Sequence, residues 1–426
     1  MIDPSDDQLS ETLEILAEKL GWPDVRVKSR LQGNRDRKVT HARQHVIIES
    51  LHGESRFVTL GSGLTDLTLG QEKLHRAYPG LTPALGDLLH LPELDVFIQN
   101  TITGEPIENL LNDLDSLPRA LLAWERIQAE FENARVTSTP HEVRNEWETW
   151  TRRFTDLNGW TDSERKQLID GILPAIRHDL IDQPALPSTR MGNGDLTTSN
   201  ILVDHSAPPF LIDPEHAAET HFHFEDTLRF VAMSPTLNHH PGLAQYFLPS
   251  ASESEIRFHL LKRIWLETSE NNQAYQDRVI PSLKQAVWQG MLPASSADNQ
   301  PELETAQLFF AQESGWSEGN SRRNSYIRGK SQLIAFPVIK PCTAFRLDPS
   351  SSEIPLTVKN IKVFEQTEDT IGFSPELEFI NTKVSEYRGI YSLTPETADP
   401  QIHFHIAGDK IPRWVLVELE SEQARS

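Results

Sequence analysis

A single cysteine, Cys342, stands in the whole chain, so no internal disulfide can form and a cysteine-built zinc centre is excluded. Positive charge is scarce: 40 Lys and Arg face 62 Asp and Glu, a formal charge of -22. A surface that acidic repels phosphate backbones and anionic lipid, which argues against nucleic acid or membrane as a general partner. Apolar runs are short, and none approaches the ~18 residues that cross a bilayer, so no transmembrane segment is expected. The opening stretch MIDPSDDQLSETLEILAEKLGW has no basic segment followed by an apolar one, so no secretory signal is read and a cytoplasmic protein is expected. No internal repeat or low-complexity run is present. What remains is 426 residues, 38% hydrophobic, with a mean hydropathy of -0.44. That is the balance of a globular protein of two or three domains.

Four regions follow from the pattern. Residues 1–24 predict a helix, with Ser10 as cap, Leu13, Leu16 and Leu20 on one face, and Gly21 as stop. Residues 25–100 predict a small antiparallel sheet with one helix: VRVKSRL, THARQHVIIESL, SRFVTL and DVFIQN are strand-like, and GQEKLHRAY is helical. Residues 101–295 read as helices, with Leu121, Leu122, Ile127 and Phe131 on one face and Leu168, Ile169, Ile172, Leu173 and Ile176 on another. Inside them, NILVDHSAPPFLID breaks the pattern as two short apolar runs around a Pro-Pro turn, a β-hairpin. A polar linker is expected near 295–302, and 296–426 reads as an all-β sandwich, jelly-roll-like, built from SQLIAFPVI, TAFRLD, LTVKNIKVF, LEFI, GIYSL, QIHFHIAG and RWVLVEL. The fold class is therefore α+β followed by an all-β domain.

The chemistry concentrates in the hairpin. Asp195 precedes a tight polar loop, Asn200 closes it five residues later, and Asp213 ends the second strand, so one end of the hairpin carries two carboxylates and an amide. Phosphoryl transfer needs such a set: one carboxylate to orient a hydroxyl and take its proton, and a carboxylate with an amide to hold Mg2+ against nucleotide phosphates.

Gly192-Asn-Gly-Asp-Leu-Thr-Thr-Ser-Asn followed by Phe210-Leu-Ile-Asp-Pro-Glu resembles the catalytic hairpin of the aminoglycoside phosphotransferase and choline kinase-like family, which carries H-G-D-x-x-x-x-N and then I-D-x-E on a bilobal protein-kinase-like fold. The resemblance implies Asp195 as catalytic base, Asn200 and Asp213 as magnesium ligands, Glu215 as support for the metal, and Asn193 in place of the family histidine. It implies ATP or GTP with Mg2+ as cofactors. It further implies a Gly-containing phosphate-covering turn at Gly33, Asn34 and Arg35, an ion-pairing glutamate at Glu72, and a hinge at Gln99 to Thr101 that offers backbone groups to a nucleotide base. One departure is serious: the family's strand lysine falls on Thr59 or Leu60, and a substitute cation would have to be Arg35, Arg37, Lys38 or Arg56.

The segment from about 306 to 365 is similar to β-sandwich modules beside bacterial polysaccharide-assembly enzymes, which implies such enzymes as partners and a glycan as ligand. Trp316, Phe345, Tyr387 and Tyr391 are the aromatic candidates for stacking on sugar. The reading is a phosphotransferase, a kinase acting on a hydroxyl of a sugar, glycan end or small polar metabolite. Its rivals are a degenerate kinase scaffold with a glycan- or partner-binding sandwich, and a glycosyltransferase accessory subunit. His221/His223, His239/His240 and His403/His405 are paired histidines read as structural, and Cys342 as a buried small hydrophobe.

Overall fold

The computed structural model describes residues 6–422 except 32–42, 62–63, 92–93, 158–159, 183–187, 205–207, 215, 249–250, 270–272, 291, 293–301, 312–314, 339, 353, 366–371, 398 and 407–410. The chain forms two compact units. One takes 1–106, 125–230 and 252–293; the other takes 107–124, 231–251 and 294–426. The helical region expected as one block is thus shared between them, and the proposed linker at 295–302 falls almost wholly outside the described residues.

The first unit opens with helix α1 (Asp6–Leu20), which begins upstream of Ser10, so Ser10 lies within the helix and does not cap it. Gly21 ends it at φ 65, a left-handed value that glycine adopts without strain. Strands β1 (Val25–Leu31), β2 (Arg43–Ser50), β3 (Ser55–Gly61), β4 (Asp87–His90) and β5 (Asp95–Asn100) make an antiparallel sheet in the order β1-β2-β3-β5-β4. Alternation assigns its faces. Val46, Ile48, Val58, Leu60, Val96 and Ile98 pack on Leu16 of α1 and on Trp22, while Phe97 on the other face meets Leu64 and Leu67 of helix α2 (Leu64–Ala77). Covered on both sides, the centre of β3 is buried at every position from Val58 to Leu60.

The helical part of this unit is held by aromatics. Trp147, Trp150, Phe154, Trp160 and Phe258 share one core, and capping boxes Thr139/Glu142 and Thr161/Glu164 start two of its helices. Residues Leu168–Ile172 form a π turn, whose extra residue rotates the apolar stripe and leaves Ile169 42% exposed, unlike its expected neighbours. Sheet and helices are joined by Tyr78 Oη donating to the Met191 carbonyl at 2.5 Å and Leu211 N–H donating to the Leu81 carbonyl at 2.7 Å.

The second unit is a sandwich of two antiparallel sheets. One comprises Leu303–Phe310, Ser321–Ile327, Ala344–Asp348, Glu376–Ile380 and Gln401–His405; the other comprises Ser331–Pro337, Leu356–Glu365, Thr382–Tyr387, Ile390–Pro395 and Pro412–Ser421, with Gly372–Phe373 paired beside Leu356–Glu365. All seven strands read from the sequence are present. Phe345 is fully buried in the shared core and is removed from the sugar-stacking candidates. Tyr391 packs on Phe379, Trp316 sits edge-on to His403, and Tyr387 is 70% exposed. Cys342 is buried, as expected.

Helical residues 231–251 belong to this unit because they bond to the sandwich. Gln332 Nε2 donates to the His239 carbonyl at 2.9 Å, Trp414 Nε1 to Tyr246 Oη at 3.2 Å, and Leu333 N–H to His240 Nδ1 at 3.1 Å. The last bond requires an unprotonated Nδ1, and burial, aided by His239, lowers the His240 pKa to about 4. Burial, with Arg190 nearby, does the same to His223 in the first unit. The unfolded chain takes up these protons near pH 6.5 and the folded chain only near pH 4, so stability is complete above 6.5 and falls through that window. Urea unfolding between pH 7.5 and 4.5 should show that loss, and His240→Gln, which keeps an acceptor, should recover about 2 kcal/mol of it after allowing for solvent screening.

Among the described residues no helix is long and apolar enough to cross a membrane.

Candidate active site

Strand Ser188–Gly192 delivers the chain into the loop that carries Asp195. Gly194 adopts φ 78, and a Cβ there would lie 2.3 Å from the His216 carbonyl oxygen, so only glycine lets the segment after Asp213 come this close. A Thr198–Asn200 turn follows and leads into strand Ile201–Val203, which pairs antiparallel with Phe210–Leu211. Two hydrogen bonds then tie Asn200 to Asp195 and to the strand that leads into Asp213. Asn200 Nδ2 donates to the Asp195 carbonyl at 2.9 Å, and Ile212 N–H donates to the Asn200 carbonyl at 2.9 Å, fixing the residue beside Asp213. Asp213 is an exposed carboxylate at φ 54, a left-handed conformation unusual for a residue with a side chain. The hairpin read from the sequence is present with its polar end assembled.

Replacing Gly194 by Ala combines a positive φ with that carbonyl clash. It should cost about 2 kcal/mol or more in a urea melt, and should weaken any ligand response that needs Asp195 and Asp213 together.

Asn193 is fully buried and accepts Asp195 N–H through Oδ1 at 3.2 Å, so it braces the loop as an acceptor; its Nδ2 has no partner among the described residues. The larger brace was missed in the sequence. Asp226, on helix Phe224–Met233, accepts the N–H groups of Asn193 at 3.2 Å and Gly194 at 3.1 Å. Its own countercharge is Arg190, 3.5 Å away and 4% exposed. The Arg190 guanidinium lies 4.0 Å from the Phe131 ring centroid and donates to the His223 carbonyl at 2.7 Å. One helical turn after Asp226, Arg229 donates through Nε to Asp195 Oδ1 at 2.5 Å and pairs with the same oxygen through its Nη2. Asp195 is therefore held through Oδ1 by a guanidinium. The i, i+3 spacing of Asp226 and Arg229 in FEDTLRF was the available signal.

Behind this brace, Glu225 is buried beside Lys262 at 3.1 Å and His259 at 3.4 Å. Burial works to raise the Glu225 pKa, but the Lys262 charge and the His259 contacts outweigh it and hold the carboxyl below its usual range. Burial keeps His259 neutral by pushing its pKa down.

The nucleotide-side residues are placed differently from expectation. Gly33, Asn34 and Arg35, with Arg37 and Lys38, lie outside the described residues, as does Glu215. Glu72 points to solvent on α2, because the buried stripe Leu64, Leu67, Gln71, Leu74 passes one residue before it. Gln71 takes the inward place and donates through Nε2 to Gln99 Oε1 at 3.3 Å and to the Ala84 carbonyl at 3.2 Å. Gln99 thus lies within β5, paired across from Phe57, and its side chain is turned to α2; the irregular segment begins at Thr101, whose hydroxyl is buried without a partner among the described residues. In β3, Thr59 and Leu60, the two candidate positions for the expected lysine, are both 1% exposed, and the Thr59 hydroxyl lies 3.1 Å from His45 Nδ1. Arg56 is turned over the Trp22 ring at 5.4 Å. The cation that does reach the loop after Asp213 is Lys73 of α2, with Nζ 3.5 Å from the Ala217 carbonyl.

Asn200 Nδ2 is committed to the Asp195 carbonyl, which leaves its Oδ1 as the ligating atom; with the exposed Asp213 carboxylate it offers oxygen donors suited to a hard divalent cation. Among the described residues no three His, Cys, Asp or Glu side chains form a protein-only metal centre.

No protein-family model matches the chain, and no curated protein does. Solved structures that resemble it include an aminoglycoside phosphotransferase from Streptomyces rimosus, at 15% identity, TM-score 0.39, covering 62% of this chain and 99% of that one. A choline/ethanolamine kinase family protein from Mesorhizobium loti gives 12%, 0.39, 67% and 91%, and a macrolide 2'-phosphotransferase type I gives 13%, 0.39, 67% and 99%. Similarity at this level decides nothing about activity; the functional reading stands on the chain's own residues.

Proposed function

We propose that the protein is a phosphotransferase that moves the terminal phosphoryl group of ATP or GTP onto a hydroxyl of a small polar acceptor, a sugar or glycan end among the candidates. The observation that supports this is the hairpin end where Asn200 bonds to the Asp195 carbonyl and to the backbone beside Asp213, with Asp226 and Arg229 bracing the Asp195 loop. Asp195 orients the acceptor hydroxyl and takes its proton, while Arg229 holds the carboxylate through Oδ1 and leaves Oδ2 for that hydrogen bond. Asn200 and Asp213 would hold Mg2+, which supplies charge neutralisation for the transferring phosphoryl. Glu215 remains the proposed support of that metal. Gly33, Asn34 and Arg35 are proposed to cover the phosphates.

A second reading rests on Thr59. A neutral, buried threonine beside His45 stands where a phosphate-anchoring lysine is expected, which favours a scaffold without transfer activity. Polysaccharide-assembly enzymes, with the sandwich as the docking module, stay with that reading. ADP release from Mg-ATP across panels of sugars, amino alcohols and aminoglycosides separates the two. Acceptor-dependent release supports transfer, and nucleotide binding without release for any acceptor supports the scaffold.

A further inference from the structure

The first unit holds a cavity of about 490 Å³ apart from the Asp195 loop, with Thr149, Arg152, Arg153, Asp156, Trp265 and Thr268 in its wall. Helices Pro140–Thr155 and Glu253–Ser269 supply most of this wall. Its unusual member is Arg153. The guanidinium lies 4.6 Å from the ring centroids of both Trp150 and Trp265, and those rings meet edge to face at 5.6 Å. A cation held in the corner of two indoles gains from the negative ring faces and keeps N–H donors free for an anion.

Those donors have no carboxylate. In a chain with 62 Asp and Glu against 40 Lys and Arg, Arg190, Arg229, Arg257, Arg328 and Arg346 all find acidic partners, yet Arg153 has no hydrogen bond or ion pair among the described residues. Next to it, Arg152 spends only Nε, on the Glu148 carbonyl at 3.3 Å. The C-terminal dipole of helix Pro140–Thr155 explains two arginines in its last turn, but not the seating of one in the corner of two indoles. The remaining wall is suited to hydroxyl groups: Thr149 and Thr268 donate to their own helices and keep lone pairs to accept with, and Asp156 adds a carboxylate.

We propose that this cavity binds a sugar carrying an oxyanion, a carboxylate or a phosphate. Arg153 and Arg152 take the anion, Trp265 lies against the ring, and Asp156 with the threonine oxygens accepts the ring hydroxyls. A fork of N–H donors matches both anions equally, so the ligand test must separate them. The volume admits a sugar unit with its anionic substituent and water beside it. None of these residues belongs to the Asp195 loop, so the site stands or falls independently of phosphoryl transfer.

The test is tryptophan fluorescence on the full chain, titrated with glucose 6-phosphate, glucuronate, glucose and inorganic phosphate. Saturable quenching by at least one of the two charged sugars is expected, with glucose and inorganic phosphate each binding about 10-fold more weakly or not at all. Preference between the charged sugars identifies the anion. Arg153→Gln should weaken the response about 10-fold at an unchanged melting temperature; if that variant melts early, Arg153→Lys, which keeps the charge and loses the fork, should weaken it in a well-folded protein. No saturable response to either charged sugar overturns the site. So does equal binding by the parent and both variants. Inorganic phosphate binding as tightly as glucose 6-phosphate overturns the sugar assignment.

Discussion

Asp195→Asn should lower acceptor-dependent ADP release by about 10²- to 10⁴-fold while leaving the fold in place. Asparagine keeps an oxygen for Arg229, so the guanidinium retains an acceptor and the loop bonds from Asn193 and Asn200, which use Asp195 backbone atoms, are untouched. The proton acceptor is lost, together with the charge that pairs with Arg229, so a urea melt of the variant accompanies the kinetics. Steady-state kinetics with a saturating acceptor should therefore show the fall in kcat, with nucleotide KM changed little. Arg229→Leu makes the complementary case: the carboxylate stays but is no longer held, so kcat should fall less than in Asp195→Asn. A full-rate Asp195→Asn protein would remove Asp195 from the chemistry.

The second large effect is on stability. Asp226→Ala removes the acceptor for two backbone N–H groups and leaves Arg190, 4% exposed, with an unpaired buried charge. Breaking one side of such a pair costs about 3–5 kcal/mol, far more than the pair adds over an apolar replacement. Urea unfolding of Asp226→Ala, Arg190→Met and the double variant should show the double variant less destabilised than the two single costs combined. If the costs simply add, the pair is not a unit and the bracing role of Asp226 fails.

The hairpin was legible because its signals are local. Asp195, Asn200 and Asp213 lie within nineteen residues of one another, and a Pro-Pro turn between apolar runs marks the fold that joins them. Asp226 and Arg229 were not legible by the same means, since an acid and a base on a polar-flanked helix look like any solvated face until the loop packs against them. The error at Glu72 has a different origin. The apolar stripe Leu64, Leu67, Gln71, Leu74 points inward at Gln71, whereas the family pattern asks for a charge, and Glu72 beside it is the charge the helix offers. At Thr59 and Leu60 the sequence shows directly that no lysine is present, and the structure adds what the strand pattern could not: both are buried, and His45 neighbours Thr59. In the sandwich, SRRNSYI escaped notice because only Asn324, Tyr326 and Ile327 of its seven residues are buried and two consecutive arginines break the alternation.

The most direct measurement is the melting temperature with ATP and with GTP, each with and without Mg2+, in the parent and in Asp213→Ala. Each protein is compared with its own unliganded melt, so any cost of Ala at the left-handed φ of 54 at Asp213 does not enter the comparison. A nucleotide at 100 times its dissociation constant should add roughly 2.7 kcal/mol of stability in the parent, only with Mg2+, and little in the variant. A shift that is the same with and without Mg2+, or the same in Asp213→Ala, would contradict a metal-nucleotide site built on this hairpin.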